Sequence, residues 1–274
     1  MKPTAPPAHR SDVPFYLGLG LLSSTYLLLI VAMLIADASF TTPRQVWRIL
    51  GSSEIQYAIK LSLISCSLTT ILSLWVAVPL GYLLSRHRFP GQGLADALID
   101  IPIVLPPLVV GLSLLILFQT AIGRAIQQIV PITYAIPSVI LAQFAVSCAF
   151  AVRTMRVTFD QINPRSEQVA LTLGCTRSQA FWLVTLPEAR RGLLTAATLA
   201  WARSLGEFGP ILVFAGATRM RTEVLSTTVF LELSVGNLEA AVAVSLLMII
   251  AAVVVLVLVR WFGSETTFGK AVEP

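Results

Sequence analysis

Six long apolar segments constrain this chain more strongly than any other feature of its sequence. An α-helix needs about 20 apolar residues to cross a bilayer, and only helices or closed barrels satisfy every backbone group in lipid. The alternating ten-residue segments that are typical of membrane barrels are absent from the sequence. The sequence therefore predicts an all-α polytopic membrane protein with six transmembrane helices. The segments are about Phe15–Ala36, Tyr57–Leu84, Leu98–Thr120, Ala135–Val152, Leu193–Gly216 and Leu238–Trp261.

The charged residues separate this chain from soluble and nucleic-acid-binding proteins. Only 12% of its residues are charged, whereas soluble domains carry about 25%. The net charge of +5 comes from Lys and Arg beside the apolar segments, where basic residues orient membrane helices, so we expect no nucleic acid partner. Three cysteines and two histidines form neither a disulfide framework nor a zinc pattern. We therefore expect no metal, no bound cofactor and no catalytic residue.

The distribution of basic residues predicts the orientation. With the N-terminus in the cytoplasm, 12 of the 19 Lys and Arg residues fall inside, six fall outside and Arg203 lies within a segment. Because loops rich in Lys and Arg stay in the cytoplasm, we expect both termini there. The expected organisation is a cytoplasmic tail over residues 1–14, a transmembrane domain over residues 15–261 and a cytoplasmic tail over residues 262–274.

The longest polar interruption covers residues 153–192 and carries its own helix boundaries. Asn163–Pro164 is typical of a helix start, and Gly174 suits the left-handed turn that ends a helix. Thr176–Gln179 matches a capping box and predicts a second short helix. In Leu186–Pro187 we expect the proline to push the leucine out of helical geometry. The loop should therefore contain two short helices joined by a sharp turn.

A sequence motif in this loop points to a known family. The pattern Glu-x-x-Ala-x-x-x-Gly, followed by hydrophobic-x-Leu-Pro, resembles the cytoplasmic coupling loop of ABC importer permeases. The position before the last two apolar segments fits as well. The resemblance implies that the loop docks in a groove of a cytoplasmic ATPase, which binds ATP and Mg²⁺ and transmits its closure to the permease. The residues that carry this prediction are Glu167, Ala170, Leu171, Gly174, Leu186 and Pro187.

The first helix of the loop has a face of small residues. Glu167, Ala170 and Gly174 follow one another at intervals of three and four, so they share this face. We expect the small side chains to let the ATPase approach closely. The alternative is an amphipathic helix that lies on the lipid headgroups, with Glu167 favoured only by the helix dipole.

Two further stretches narrow the resemblance. Trp201–Gly209 resembles a segment of molybdate, tungstate and sulfate permeases, and Asp100–Pro107 with Gly111 resembles the proline-rich third span of the same branch. The resemblance implies the type I ABC importer permease fold and import of a tetrahedral oxyanion across a prokaryotic plasma (inner) membrane, molybdate or tungstate ahead of sulfate. The implied partners are an ATPase dimer, an extracytoplasmic substrate-binding protein, a second permease copy in a homodimer and membrane lipid.

Several polar residues and prolines within the apolar segments are candidates for the translocation pathway or gate. Arg203 and Glu207 lie four residues apart and can form an ion pair, which would serve either as a gate or as a structural contact. Prolines lack a backbone donor, so we expect them to break the third span locally. The prolines are Pro102, Pro106 and Pro107.

A small polar face on the second span allows two interpretations. Ser62, Ser65 and Thr69 repeat at intervals of three and four. They could line the pathway, or they could permit close helix packing.

Three alternatives from the sequence stay open at this point. An ABC permease for another small solute would share the same loop. A self-sufficient secondary transporter would need coupling-ion sites and usually inverted repeats, and neither is evident. An intramembrane enzyme would need a metal pair or a nucleophile with its base, and no such constellation stands out.

Overall fold

The computed structural model describes residues 13–264, and it describes side chains within residues 15–257. Over this range the chain is all-α and contains no strand. The expected tails fall largely outside it. The helices are α1 (Val13–Phe40), α2 (Pro43–Leu50), α3 (Ser53–Arg86), α4 (Gln92–Val104), α5 (Pro107–Gln119), α6 (Ala121–Ile129), α7 (Ile136–Gln161), α8 (Pro164–Thr172), α9 (Arg177–Ala180), α10 (Leu186–Glu188), α11 (Arg190–Leu205), α12 (Gly209–Phe214), α13 (Leu225–Ser234) and α14 (Leu238–Ser264).

The predicted count of six membrane helices is not confirmed. Four helices in the described range are long and apolar enough to cross a bilayer, namely α1, α3, α7 and α14. A fifth span arises if α4 and α5 are counted together, although they meet at a bend of 112°. The predicted segment Leu193–Gly216 is divided between α11 and α12, because the chain leaves helical geometry between Leu205 and Gly209.

The prolines account for the bend in the third span. Leu105 and Pro106 both adopt extended backbone conformations between the two helices. Pro107 then occupies the first position of α5, where its missing N–H is not needed. Pro102 lies inside α4 and does not end it. The expected break is therefore confirmed at Pro106 and Pro107, but not at Pro102.

The core of the molecule is the bundle of α3, α7 and α11. Small residues let these helices approach closely, and buried Ala77, Ala151 and Ala200 belong to one cluster. A Cβ placed on Gly81 would lie 2.9 Å from both the Met155 Cβ and the Arg156 amide nitrogen. The α3–α7 contact therefore depends on a glycine at this position.

The helices place the loops at two opposite ends of the molecule. α7 has 26 residues, which corresponds to a length of about 39 Å. Its C-terminal end leads into α8, and its N-terminal end lies beside the start of α3 and the segment over residues 216–224. We call these the coupling end and the distal end.

Candidate coupling loop and membrane breaks

The predicted boundaries of the first loop helix are confirmed. The Asn163 side-chain oxygen accepts a hydrogen bond from the Arg165 amide at 3.0 Å, and Pro164 takes the first helical position. α8 ends at Thr172, and Gly174 follows with a φ of +93°. This left-handed conformation favours glycine. The Cys175 amide then closes the turn on the Ala170 carbonyl at 3.1 Å.

The second part of the loop confirms one expectation and corrects another. Thr176 and Gln179 form the predicted capping box at the start of α9. Leu186, however, is helical, so the expectation that Pro187 would force it out of a helix is wrong. The reason is the π-helical turn over Phe181–Thr185, where the Leu186 amide bonds back to the Phe181 carbonyl. This wider turn lets the chain enter the proline without the clash that an α-helix would suffer.

The face of α8 that carries Glu167 and Ala170 is turned toward the chain's own bundle. The Tyr82 hydroxyl of α3 donates to Glu167 Oε1 at 2.5 Å, and Arg86 Nε lies 3.9 Å from Oε2. Ala170 is only 7% exposed. Glu167 and Ala170 therefore face the bundle, beside α3 and the π-helical turn, and the expected approach of the ATPase to this face stays a prediction. Their place in the loop connects α8 to the bundle.

The accessible side of α8 carries two apolar side chains among polar ones, and the motif did not reveal them. Val169 is exposed and Leu173 is 80% exposed, four residues apart on one face. Gly174 adds open space beside them, since a Cβ placed on it would meet nothing within 4 Å. The repeated apolar residue at positions i and i+4 was the sequence signal for this surface.

The other predicted loop residues occupy distinct positions. Leu171 is half-buried and lines a cavity of about 200 Å³ with Tyr82 and Arg86. Leu186 is half-buried and Pro187 is exposed at the end of the π-helical turn.

The two breaks in the membrane helices touch each other. A Cβ placed on Gly209 would lie 2.9 Å from the Pro107 Cβ and 3.1 Å from the Leu108 amide nitrogen. A Cβ placed on Gly111 would lie 2.7 Å from the Pro210 Cα. Gly209 therefore packs against the start of α5, and Gly111 packs against the start of α12. The two stretches that carry the sequence motifs thus meet in one small region. Pro106 and Pro107 are exposed beside this contact.

Arg203 and Glu207 form the ion pair that their spacing predicts. Arg203 Nη1 and Glu207 Oε2 lie 2.7 Å apart. The Glu207 side chain is 1% exposed, whereas that of Arg203 is 29% exposed. Oε2 accepts no aligned hydrogen bond, so the contact is an ion pair without good hydrogen-bond geometry. The Arg203 guanidinium also lies 5.8 Å from the centre of the Phe150 ring.

The polar face of α3 is buried between helices. Ser62 Oγ accepts from the Leu225 amide at 2.8 Å, and Thr69 Oγ1 donates to Gln143 Oε1 at 3.1 Å. Ser65 is also fully buried. The structure does not bring these three side chains to an accessible surface, so the packing alternative accounts for them. Gln143, which the sequence reading overlooked, joins the helices by donating to the Ser204 carbonyl at 3.2 Å.

Two ion pairs fix α4 to α7. Arg153 Nε lies 2.6 Å from Asp100 Oδ1, and Arg156 pairs with Asp96 one turn away. Among the described residues, no group of three or more His, Cys, Asp or Glu side chains is arranged to hold a metal ion. The two ion pairs connect α4 to α7 at this end of the bundle.

At the distal end, Arg219 joins two carboxylates, and a third carboxylate lies nearby. Its Nη1 lies 3.0 Å from Glu54 Oε2 and its Nη2 lies 2.7 Å from Glu232 Oε1. Glu223 is fully buried nearby, and its Oε1 accepts from the Thr228 hydroxyl at 3.1 Å. Burial raises the pKa of Glu223, more than Thr228 and Arg219 lower it.

The arrangement of the helices is similar to that of a chain in a solved ABC transporter. Over 93% of this chain and 95% of the other, it resembles a chain of the bacterial alginate ABC transporter, solved in complex with alginate pentasaccharide-bound periplasmic protein. The TM-score is 0.74 and the identity 17%. At this identity the likeness concerns the fold alone.

The sequence comparisons give the family. Residues 77–267 match the family described as binding-protein-dependent transport system inner membrane component, and the chain belongs to this family. It is 33% identical over 249 residues to the sulfate transport system permease protein CysT of Salmonella typhimurium, covering 90% of this chain and 89% of CysT. It is 31% identical over 255 residues to the molybdate/tungstate transport system permease protein WtpB of Thermococcus kodakarensis, covering 92% and 97%.

These comparisons confirm the resemblance to ABC importer permeases. The chain is a multi-pass membrane protein and a transport subunit, not an enzyme. As a member of this family, it acts within a binding-protein-dependent transport system.

Proposed function

We propose that this chain imports a tetrahedral oxyanion, namely molybdate, tungstate or sulfate, as the membrane subunit of an ABC transporter. The contact between the two helix breaks carries the proposal. Both sequence stretches that resemble oxyanion permeases meet there, through Gly209 on Pro107 and Gly111 on Pro210. The substrates in the names of CysT and WtpB support the same class.

At the two helix breaks, the nearby cation of α11 offers an oxyanion little free positive charge. Arg203, at the end of α11 beside the break, is already neutralised by Glu207. A tight anion site at this place is therefore disfavoured, and hydroxyl groups and backbone amides suffice for a brief passage. Selection of the oxyanion then falls to an extracytoplasmic substrate-binding protein.

The remaining partners follow from the same assignment. Two copies of the chain form a homodimer in a prokaryotic plasma membrane, with both termini in the cytoplasm. The coupling end then faces the cytoplasm and the distal end faces outward. ATP and Mg²⁺ bind to the cytoplasmic ATPase dimer and not to this chain.

The contacts of the loop explain how ATPase closure reaches the membrane. The ATPase holds the exposed Val169–Leu173 face of α8, whose opposite side is tied to α3 through Glu167 and Tyr82. The Asp96 and Asp100 ion pairs then link α7 to α4, which ends at the first break. A displacement of the loop therefore moves the helix halves that meet at the two breaks.

Calorimetric titration of the binding protein with molybdate, tungstate, sulfate, a sugar and an amino acid tests the substrate class. We expect tight binding of at least one oxyanion, and uptake of that anion by proteoliposomes that contain the permease, the ATPase and ATP. Tight binding of a sugar or amino acid, with no binding of any oxyanion, would show that the transported substrate is not an oxyanion. Uptake without the ATPase would instead favour a secondary transporter.

A further inference from the structure

A pocket of about 420 Å³ opens at the distal end of the molecule. It lies where the start of α3, the segment before α7 and the segment over residues 216–224 meet. Its lining is mainly apolar and aromatic, with one arginine. The residues that matter for the argument are Tyr57, Val130, Pro131, Tyr134, Met220 and Arg221.

Two residues with unfavourable backbone conformations line this pocket. Tyr134 has a φ of 57° and Met220 a φ of 60°. Across residues 13–264 these are the two non-glycine residues with positive φ. Each such residue costs roughly 1–3 kcal/mol, and conformations of this kind concentrate at functional sites. Both side chains are exposed, so burial within the chain does not offset the cost.

The strained rim of the pocket is held in place by hydrogen bonds. The Thr218 carbonyl accepts from the amides of three successive residues, Arg221, Thr222 and Glu223, at 3.1–3.2 Å. The Tyr57 hydroxyl donates to the Arg221 carbonyl at 2.9 Å. The surface is therefore preformed, which lowers the ordering entropy that a partner must overcome on binding.

The charge at the rim is available to a partner. Arg221 is exposed, and its guanidinium makes no ion pair or hydrogen bond with any residue in the described part of the chain. Arg219, two positions earlier, is by contrast occupied by Glu54 and Glu232. An isolated oxyanion would find a single charged donor here among apolar walls. A protein segment with an apolar side chain next to a carboxylate matches both features.

We propose that this pocket is the docking site of the substrate-binding protein, which inserts an apolar or aromatic side chain between Tyr57 and Tyr134 and pairs a carboxylate with Arg221. The inference rests on the proposed function and identifies the contact through which the binding protein would reach the permease. A protein docked here would contact the segment over residues 216–224. This segment contains Arg219, which pairs with Glu54 and Glu232, and it leads into α13.

Charge reversal at Arg221 tests the ionic contact. The permease–ATPase complex in nanodiscs is titrated with the binding protein that stimulates ATP hydrolysis by the unmodified complex. We expect Arg221→Glu to weaken binding at least about tenfold, because a like-charge contact replaces an ion pair. Arg44→Glu is the matched control, since Arg44 is exposed at the start of α2 and changes the net charge equally. It should alter binding by less than about threefold, as exposed charges usually do.

Two substitutions at Tyr134 separate docking from folding. Tyr134→Gly removes the ring but relieves the left-handed backbone, so its thermal midpoint should be unchanged or higher. We expect it to bind the binding protein at least about tenfold more weakly than Tyr134→Phe, which keeps the ring. A glycine variant that binds as tightly as the unmodified complex, or that unfolds at lower temperature, would overturn the proposal.

The outcomes distinguish failure of the docking site from failure of the proposed function. If no binding protein stimulates the unmodified complex, the proposed function fails and the docking site with it. If stimulation occurs but Arg221→Glu binds as Arg44→Glu does, the docking site alone is refuted. Titration of the complex with molybdate or sulfate alone should give no binding. Binding that disappears in Arg221→Glu would make the pocket an oxyanion site and overturn the protein contact.

Discussion

The Tyr82 hydroxyl donates a 2.5 Å hydrogen bond to the Glu167 carboxylate, and this bond joins the coupling loop to the second span. Arg86, one turn further along α3, approaches the same carboxylate and also donates to the Ile162 carbonyl at 2.9 Å. Glu167 is therefore bound on two sides by its own chain. These contacts attach α8 to α3.

The first prediction concerns this tether. Tyr82→Phe should leave the fold and ATPase binding intact but reduce transport and stimulated ATP hydrolysis by about tenfold. A hydrogen bond to a charged group contributes about 1.5 kcal/mol, which corresponds to that factor. Tyr57→Phe is not a suitable control, because Tyr57 lines the distal pocket, so Tyr26→Phe on exposed α1 serves instead. Normal transport by Tyr82→Phe would show that the loop transmits force by another route.

The second prediction concerns the exposed apolar face of α8. Leu173→Ser should weaken ATPase binding at least about tenfold, because a large apolar side chain would be lost from an interface. The stability of the permease itself should change by less than about 0.5 kcal/mol, since Leu173 is exposed. Gln168→Ser, on the same helix, is the control, and copurification with the ATPase is the measurement. Unchanged copurification of Leu173→Ser would exclude this face as the docking surface.

The local structure of the loop was predictable because its signals are local. Asn163, Gly174 and Thr176 act through hydrogen bonds or backbone conformations within a few residues. The orientation of α8 was not predictable, because it depends on Tyr82, which lies 85 positions before Glu167. The π-helical turn before Pro187 likewise escaped prediction, since a proline is normally a reason to end a helix.

The membrane region shows the same division between local and distant causes. The break at Pro106 follows from missing backbone donors, whereas the division of α11 from α12 has no proline between the helices. The contact of Gly209 with Pro107 joins stretches that are a hundred residues apart. The polar face of α3 could be assigned to packing only once Gln143 was seen opposite Thr69.

The third prediction tests the contact between the breaks. Gly209→Ala should lower stability by roughly 1–3 kcal/mol, because the new methyl group would meet the Pro107 side chain and the Leu108 backbone. Gly206→Ala is a matched control, since its nearest neighbour would be the Ala202 carbonyl at 3.8 Å. Thermal unfolding in detergent measures both. Equal stability of the two variants would contradict the close approach.

The fourth prediction concerns pH and Glu223. Burial raises the pKa of this carboxyl above its ordinary value of 4.5, in the presence of Arg219, Glu54 and Glu232. The folded state therefore binds the proton more tightly than the unfolded state. Stability should fall as pH rises through the folded pKa and recover as pH falls toward 4.5.

Glu223→Gln should remove this dependence. We expect the variant to be more stable than the unmodified protein at pH 7, with a gain that shrinks as pH is lowered toward 5. Glu239→Gln is the control, because the side chain of Glu239 is half exposed. Thermal unfolding across this pH range is the measurement. A gain of the same size at every pH would mean that proton binding by Glu223 is not its cause.

The fifth prediction concerns Arg203 and Glu207, whose exposures are very unequal. Arg203→Gln should be the more harmful single change, because it leaves the buried Glu207 carboxylate without a partner at a cost of about 3–5 kcal/mol. Glu207→Gln should cost less, since Arg203 is partly exposed and keeps the Phe150 ring beside it. The double variant should be more stable than Arg203→Gln alone. Unfolding of all four proteins measures the coupling, and strictly additive losses would show that the two charges do not stabilise each other.

Transport by the folded double variant then decides between the two roles of the pair. Restored transport would assign it to structure, whereas folded protein without transport would assign it to the gate.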